Sequence, residues 1–231
     1  MLREIHFTPL FLKLTALFTL LFAACIGLIN ARPYDDSELR ALFAPSNECP
    51  MPCFIGIRPG VTTADEALAV LEAHEWIGDV ELAYNRVTGA PNAAIWSWSG
   101  SQPPLILDTL YGSPYRGNLR IQDGIVTAIW IPTTITAGDL RLLWGKPDQI
   151  AFTLFRNLEV ERYPLFLSYF EIFAGQRAVS QAFVYCPYFP VDWYAPVALT
   201  LGDASDVTFI SERTTTNRFP DIIVDLHEKY C

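Results

Sequence analysis

The sequence predicts an α+β protein in which an N-terminal transmembrane helix is followed by two units, each made of a helix and an antiparallel sheet. An apolar run from Pro9 to Ile29 is long enough to cross a bilayer. Beyond it, alternating segments rich in β-branched and aromatic residues are separated by glycines and prolines, which is typical of antiparallel strands. The segment Val61-Thr62-Thr63-Ala64-Asp65 is echoed 74 positions later by Ile135-Thr136-Ala137-Gly138-Asp139, each time before a helical pattern. This repeat is the reason to expect two units.

The flanks of the apolar run predict its orientation. Arg3 and Lys13 lie at its N-terminal side, whereas Asp35 and Asp36 follow it. Because positively charged flanks stay in the cytoplasm, we expect a single-pass membrane protein with a cytoplasmic N-terminus and an extracytoplasmic main domain.

Three fates of this segment are open. An uncleaved anchor agrees with its length and flanks. Leu21-Phe22-Ala23-Ala24-Cys25 resembles a bacterial lipobox, which would make Cys25 a site of lipid attachment. Cleavage after a small residue such as Ala31 would instead release a secreted form.

The charge balance argues against nucleic acid as a partner. The chain of 231 residues has a formal net charge of −9, and 13 basic against 24 acidic side chains remain after residue 33. A segment with this excess of acids is repelled by phosphate backbones. Since 51% of the residues are hydrophobic, the chain has enough apolar material for a packed core.

Four cysteines follow the apolar run: Cys49, Cys53, Cys186 and Cys231. An even number in an oxidising compartment predicts two disulfides, with three connectivities open. The spacing Cys49-Pro-Met-Pro-Cys53 differs from that of a redox pair, which has two intervening residues at a helix start. A zinc site at this pair would need two more ligands, and His74 and His227 are the only histidines beyond the membrane segment. We therefore expect structural disulfides, no metal and no cofactor.

The first unit begins with a marked helix start. Thr63 and Glu66 have the spacing of a capping box, in which each side chain bonds the backbone N–H of the other residue. Ala64, Ala67 and Leu71 then recur on one face, together with Leu68. The helix of the second unit follows the echo and ends at Gly145-Lys146-Pro147.

The remaining elements follow from alternation and turn residues. A short helix is expected at Ser37–Phe43, and Asp123-Gly124 is the turn of a hairpin spanning Asn118 to Ile131. Further extended segments are predicted at Glu81–Val87, Ala93–Ser99, Leu105–Leu110, Gln149–Phe155, Leu165–Phe173, Ala178–Tyr185 and Val207–Ile210. The domain plan has a tip and transmembrane or signal-anchor helix (1–33), a linker with the cysteine pair (34–59), a first unit (60–132), a second unit (133–187) and a C-terminal extension (188–231).

The helix starts, the Gly145-Lys146-Pro147 stop and the hairpin with Gly124 before Ile125-Val126 resemble modules of the SmpA/OmlA outer-membrane lipoproteins and, in tandem, the β-lactamase inhibitory protein fold. The resemblance extends from Gly60 to Pro187. It implies protein or envelope binding through a sheet surface, without catalysis, and carries over no functional residue. The run CPMPCFIGIRPGVTTADEAL is similar to uncharacterised membrane-anchored proteins from bacteria of the Chloroflexota type, which implies a location and no activity.

No motif for phosphate, dinucleotide, zinc-protease or serine-hydrolase chemistry occurs, and we assign no catalytic residue. The alternation of strands predicts that Trp96, Trp98 and Trp130 face a core. Asp192-Trp193-Tyr194 lies between prolines in a loop and is the best candidate for a contact site. The sequence therefore favours a membrane-anchored extracytoplasmic protein that binds a protein or envelope partner or has a structural role there. The alternative is an extracytoplasmic hydrolase that uses a carboxylate pair.

Overall fold

The computed structural model describes residues 8–30, 36–43, 49–110, 113–156, 165–185 and 193–202. The chain divides into two compact units, of which the first ends at Ser37 and the second begins at Glu38.

The first unit contains helix α1, Thr8–Asn30. Its segment Phe11–Leu28 is long and apolar enough to cross a membrane, a property that signal sequences share. The hydroxyls of Thr15 and Thr19 donate to the carbonyls of Phe11 and Thr15, both at 2.9 Å. These polar groups are thus satisfied within the helix, as an apolar environment requires.

The second unit is built on an antiparallel sheet. Among the described residues the sheet has eight strands in the order β1-β2-β5-β6-β10-β9-β8-β7, and β3 and β4 form a separate small pair. The strands are β1 Ile77–Tyr84, β2 Pro91–Trp98, β3 Thr109–Leu110, β4 Ser113–Pro114, β5 Gly117–Gln122, β6 Ile125–Thr136, β7 Gln149–Arg156, β8 Leu165–Phe173, β9 Ala178–Tyr185 and β10 Pro196–Gly202. The predicted α+β class is confirmed. Strands that the sequence analysis divided between two units belong to one sheet.

In the described part of the chain, three α-helices accompany the sheet: α2 Ser37–Phe43, α3 Ala64–Ala73 and α4 Ala137–Trp144. The face of α3 predicted to be apolar is confirmed, since Ala64, Ala67 and Leu71 are buried beside Trp96. Leu140 of α4 is buried in a second cluster that also includes Leu39 and Phe43 of α2 together with Leu199 of β10. The two clusters share one face of the sheet, because Leu199 is paired with Ile131 of the first cluster.

The opposite face of the sheet carries a different set of side chains. Ala151, Phe170, Ile172 and Val179 form a small buried cluster there. Trp130 is half-buried and stacks on Tyr115, with ring centroids 6.2 Å apart. We expected Trp130, like Trp96 and Trp98, to face a core; it is only half-buried and lies on the face opposite to the core that contains Trp96. Alternation shows that two side chains lie on opposite faces, but not which face the helices cover.

The capping box predicted at Thr63 is confirmed, and α4 begins with a second capping box that was not predicted. Thr63 and Thr136 are the N-cap residues of α3 and α4, and each has a complete capping box. These caps are 73 positions apart, one fewer than the 74 in the sequence echo, so Thr136 corresponds to Thr63 and not to Thr62.

The predicted bounds of the remaining elements are confirmed for one helix and differ from the structure for several strands. Helix α2 has the expected bounds, whereas β1 begins at Ile77 rather than at Glu81. Strand β10 lies in the middle of the sheet, at positions where the sequence analysis assigned no strand. The predicted strand Val207–Ile210 lies outside the described residues.

Candidate functional site

The candidate site is a group of large side chains on α4 and on the loop before β10, which we call the contact patch and define as Arg141, Trp193 and Tyr194. Trp193 is 39% exposed and Tyr194 75%, whereas Arg141 is half-buried. Two of the three residues of the predicted contact loop are therefore exposed as expected, and the third, Asp192, lies outside the described residues.

The start of α4 holds this loop in place through its free backbone N–H groups. The first residues of a helix have N–H groups without partners inside the helix. The capping box satisfies one of them, since Asp139 N donates to the Thr136 hydroxyl at 3.2 Å and Thr136 N donates to the Asp139 carboxylate at 2.9 Å. Two more donate to the loop, Ala137 N to the carbonyl of Ala195 at 3.1 Å and Gly138 N to that of Trp193 at 2.9 Å. The backbone that carries the exposed aromatic residues is thus bonded to a helix end.

Gly138 allows the Trp193 ring to lie directly against the helix. A Cβ atom at this position would come within 2.5 Å of Trp193 Nε1, far closer than such contacts occur. Arg141, one turn further along α4, places its guanidinium carbon 5.6 Å from the centre of the same ring. A guanidinium at this distance attracts the ring face through a cation–π interaction.

Arg141 also joins the patch to the sheet. Its Nε donates to Glu171 at 2.7 Å, and its terminal nitrogen makes a second bond to the same carboxylate oxygen. The Glu171 side chain is fully buried in β8, whereas Arg141 is 20% exposed. The Ser180 hydroxyl lies 3.5 Å from the other carboxylate oxygen. A buried carboxylate needs such partners, so the ion pair fixes Arg141 beside Trp193.

Sequence reasoning missed Gly138, Arg141 and Glu171 as parts of the site. Glycine at the second position of a helix is a weak helix former, which hints that something approaches closely there. The charge of Glu171 gave no sign of burial, because its partner lies 30 positions away.

The cysteine predictions are resolved in part. Cys49 and Cys53 lie within disulfide-bonding distance, with their Cα atoms 5.8 Å apart. Cys186 and Cys231 lie outside the described residues, so their pairing stays a prediction. Cys25 is exposed on α1 with a free thiol.

His74 has a structural environment. Its Nδ1 accepts a hydrogen bond from Trp76 N at 3.2 Å, and its ring meets the Trp76 ring edge to face with centroids 4.8 Å apart. Burial lowers the pKa of His74 below its usual value, and the nearby Glu75 opposes this shift. The neutral ring is therefore favoured, with one nitrogen already occupied. His227 lies outside the described residues.

A cleft of about 470 Å³ lies between α2, α4 and the turn after β8. Its side chains are mainly apolar, and those lining it include Phe43, Met51, Leu143, Trp144, Arg40 and Gln176. No carboxylate lines it among the described residues. Throughout the residues that the structure describes, no group of three or more histidines, cysteines or acids is placed to hold a metal ion.

Comparisons with protein-family models, with curated proteins and with solved structures find no match to this chain.

Proposed function

We propose that the protein is a non-catalytic binding protein of the cell envelope, held at a membrane by α1, and that it contacts a protein partner through the contact patch. One observation carries this proposal: two large exposed aromatic side chains stand on a loop whose backbone is fixed by the first N–H groups of α4. Tryptophan, tyrosine and arginine are the residues enriched at the energetic centres of protein interfaces. A backbone that is already held by hydrogen bonds, as at Trp193 and Ala195, loses little conformational entropy on binding.

We further propose that the domain consists of two equivalent halves, each a helix followed by four strands of the main sheet, with the small β3–β4 pair inserted in the first half. The first backbone N–H of each helix supports this, since Ala64 N donates to Gly124 and Ala137 N donates to Ala195, at 2.8 and 3.1 Å. Gly124 immediately precedes β6 and Ala195 immediately precedes β10, which are the last strands of the two halves. Under this proposal the loop before β10 corresponds to the tight turn before β6, and the contact patch is an elaboration of the second half.

The charge of the chain favours a basic partner surface. After residue 33 there are 13 basic and 24 acidic side chains. Long-range attraction therefore speeds encounters with a positively charged protein, and long-range repulsion slows encounters with an acidic one. The expected complex therefore weakens as salt concentration rises.

The proposed location follows from the flanks of α1. Arg3 and Lys13 favour an N-terminus in the cytoplasm and a domain outside it. Protease added to intact cells whose outer envelope is permeable should then digest the domain. Protection of the domain under these conditions would contradict the proposed orientation.

The hydrolase alternative gains no support from the described residues. A glycoside-hydrolase mechanism needs two carboxylates facing a bound substrate. Glu171, the fully buried carboxylate beside the contact patch, is already bonded to Arg141.

The proposed function is tested by affinity capture from native envelope with matched variants. We expect Trp193→Ala and Tyr194→Ala each to reduce capture of the partner at least about tenfold, as truncation of interface aromatics does. Tyr84→Ala is the control, because Tyr84 is also exposed but lies on β1. Equal capture by all variants, with each folded as judged by circular dichroism, would refute the contact patch.

A further inference from the structure

The two edges of the sheet differ in how well they resist pairing with another strand. β1 forms one edge and β7 the other. The pairing of β1 with β2 has register shifts between Ile77 and Val80 and between Ala83 and Tyr84. Exposed Asp79 and Glu81 also lie on β1. Bulges and charges are the features by which edge strands avoid further pairing.

β7 has neither feature. It pairs with β8 through eight consecutive residues, from Gln149 opposite Ile172 to Arg156 opposite Leu165, without a register shift. Its sequence QIAFTLFR contains no charge before Arg156. Among the described residues no strand pairs with its other side. A regular apolar edge of this length is a template for strand addition.

We propose that β7 is the seam of a symmetric dimer, in which β7 of a second copy of this chain pairs with it in antiparallel orientation and the two sheets become continuous. Directly opposite residues of an antiparallel pair lie on the same face. A two-fold axis perpendicular to the sheet also keeps any given residue on the same face in both copies. Since faces alternate along a strand, two residues that lie opposite each other must be both even-numbered or both odd-numbered.

The charges at the ends of the strand select one register. When Phe152 is opposite its own copy, Asp148 of each chain is opposite Arg156 of the other, so two oppositely charged pairs close the seam. Opposite charges in such positions stabilise a strand pair, and like charges destabilise it. A register displaced by two residues loses both pairs. This charge complementarity is the reason that the occupant is a second copy of the chain.

Asp148 is suitably placed for this contact. It is exposed, and its carboxylate accepts a 2.7 Å hydrogen bond from Ala174 N, which leaves further acceptor capacity. Ile150, two residues later, packs in the cluster beneath α4. In the dimer the helices of both copies therefore lie on the same side of the joined sheet.

Cysteine cross-linking of the full chain in detergent or lipid nanodiscs tests the register. Phe152→Cys places the new thiol opposite itself, so mild oxidation should give a covalent dimer beyond the level of the unchanged protein. Leu154→Cys is the control, because its two copies would be about four residues, or roughly 13 Å, apart along the seam. Equal cross-linking at both positions, or none at Phe152→Cys above the unchanged protein, would overturn the proposal.

Charge variants supply a second test that is independent of the cysteines. Arg156→Glu puts two acids opposite Asp148 residues, and Asp148→Lys puts two bases opposite Arg156 residues. Each variant alone should dimerise about tenfold more weakly, since two charge pairs per dimer change sign. An equal mixture should recover dimerisation, because every seam between unlike variants again has opposite charges. If sedimentation shows no recovery in the mixture, or no loss in either variant alone, β7 is not the seam.

Discussion

Helices α3 and α4 begin in the same way and support different structures. Each has a threonine cap with an acid three positions later, and each donates its first backbone N–H to the entry of a later strand, at Gly124 or Ala195. Between β5 and β6 that entry is the two-residue turn Asp123-Gly124, whereas ten residues, 186–195, connect β9 to β10. A helix start that elsewhere fixes a plain turn thus fixes the loop that carries Trp193 and Tyr194.

The buried sides of the two helices also differ. Leu68 and Leu71 of α3 pack in an apolar cluster, and the positions 73 later are Arg141 and Trp144. Arg141 is bonded to Glu171, and Trp144 is half-buried against the rings of Phe43 and Phe173, at centroid distances of 5.4 and 5.2 Å. Helix α3 is therefore a packing element, whereas α4 combines packing with the contact patch.

The largest expected difference concerns the corresponding positions 71 and 144. Leu71→Ala should lower the free energy of unfolding by about 3 kcal/mol, because it empties a fully buried site. Trp144→Ala should cost less, since its ring already lines an open cleft. Urea unfolding measures both, with the exposed Leu142→Ala as a control expected to change little. A larger loss for Trp144→Ala would reverse the roles assigned to the two helices.

Removing the buried charge of Glu171 should have the next largest effect. Glu171→Gln leaves Arg141 without its counter-ion, and we expect a loss of about 2–3 kcal/mol, below the range for fully buried pairs because Arg141 is 20% exposed. The double variant Arg141→Met, Glu171→Leu makes α4 resemble α3 and should be closer to the unchanged protein in stability. The account fails if the double variant is less stable than Glu171→Gln.

The two caps should give similar, smaller effects. Thr63→Ala and Thr136→Ala each remove a side-chain bond to a helix N–H, at a cost of about 1 kcal/mol. Only Thr136→Ala should also alter the emission of Trp193, because the loop is bonded to α4. An equal change in emission from Thr63→Ala would show that the loop does not depend on the start of α4.

The smallest effect is a pH dependence confined to α3. Hydrogen bonds from the Thr63 backbone N–H and hydroxyl lower the pKa of Glu66, so its contribution to stability is present above pH 4.5 and is lost as the pH falls below that value. Burial lowers the pKa of His74 in the folded protein. As the pH falls through 6.5, His74 therefore gains a proton in the unfolded chain before it does so in the folded one, and stability declines. Glu66→Gln and His74→Gln should flatten unfolding free energy against pH in these respective ranges. If the variants left the slope of unfolding free energy against pH unchanged, the lowered pKa values of Glu66 and His74 would be contradicted.

Local patterns predicted the helices well and the sheet incompletely. The capping boxes at Thr63 and Thr136 depend on residues three positions apart, and such patterns can be read from sequence. Val197, Leu199 and Leu201 alternate along β10, yet this short alternation beside a proline-bounded loop was not interpreted as a strand. The ion pair between Arg141 and Glu171 depends on tertiary contacts across 30 positions, which no local pattern records.

The central claim is that the loop before β10, and not the corresponding turn before β6, contacts the partner. Since Gly124 and Ala195 accept corresponding bonds, Asp123 and Tyr194 are matched exposed positions. A photoreactive phenylalanine analogue incorporated at one or the other position, followed by irradiation of native envelope, tests this directly. We predict a covalent adduct with a partner protein from position 194 and none from position 123. An adduct from position 123 alone, or the same adduct from both, would contradict the claim.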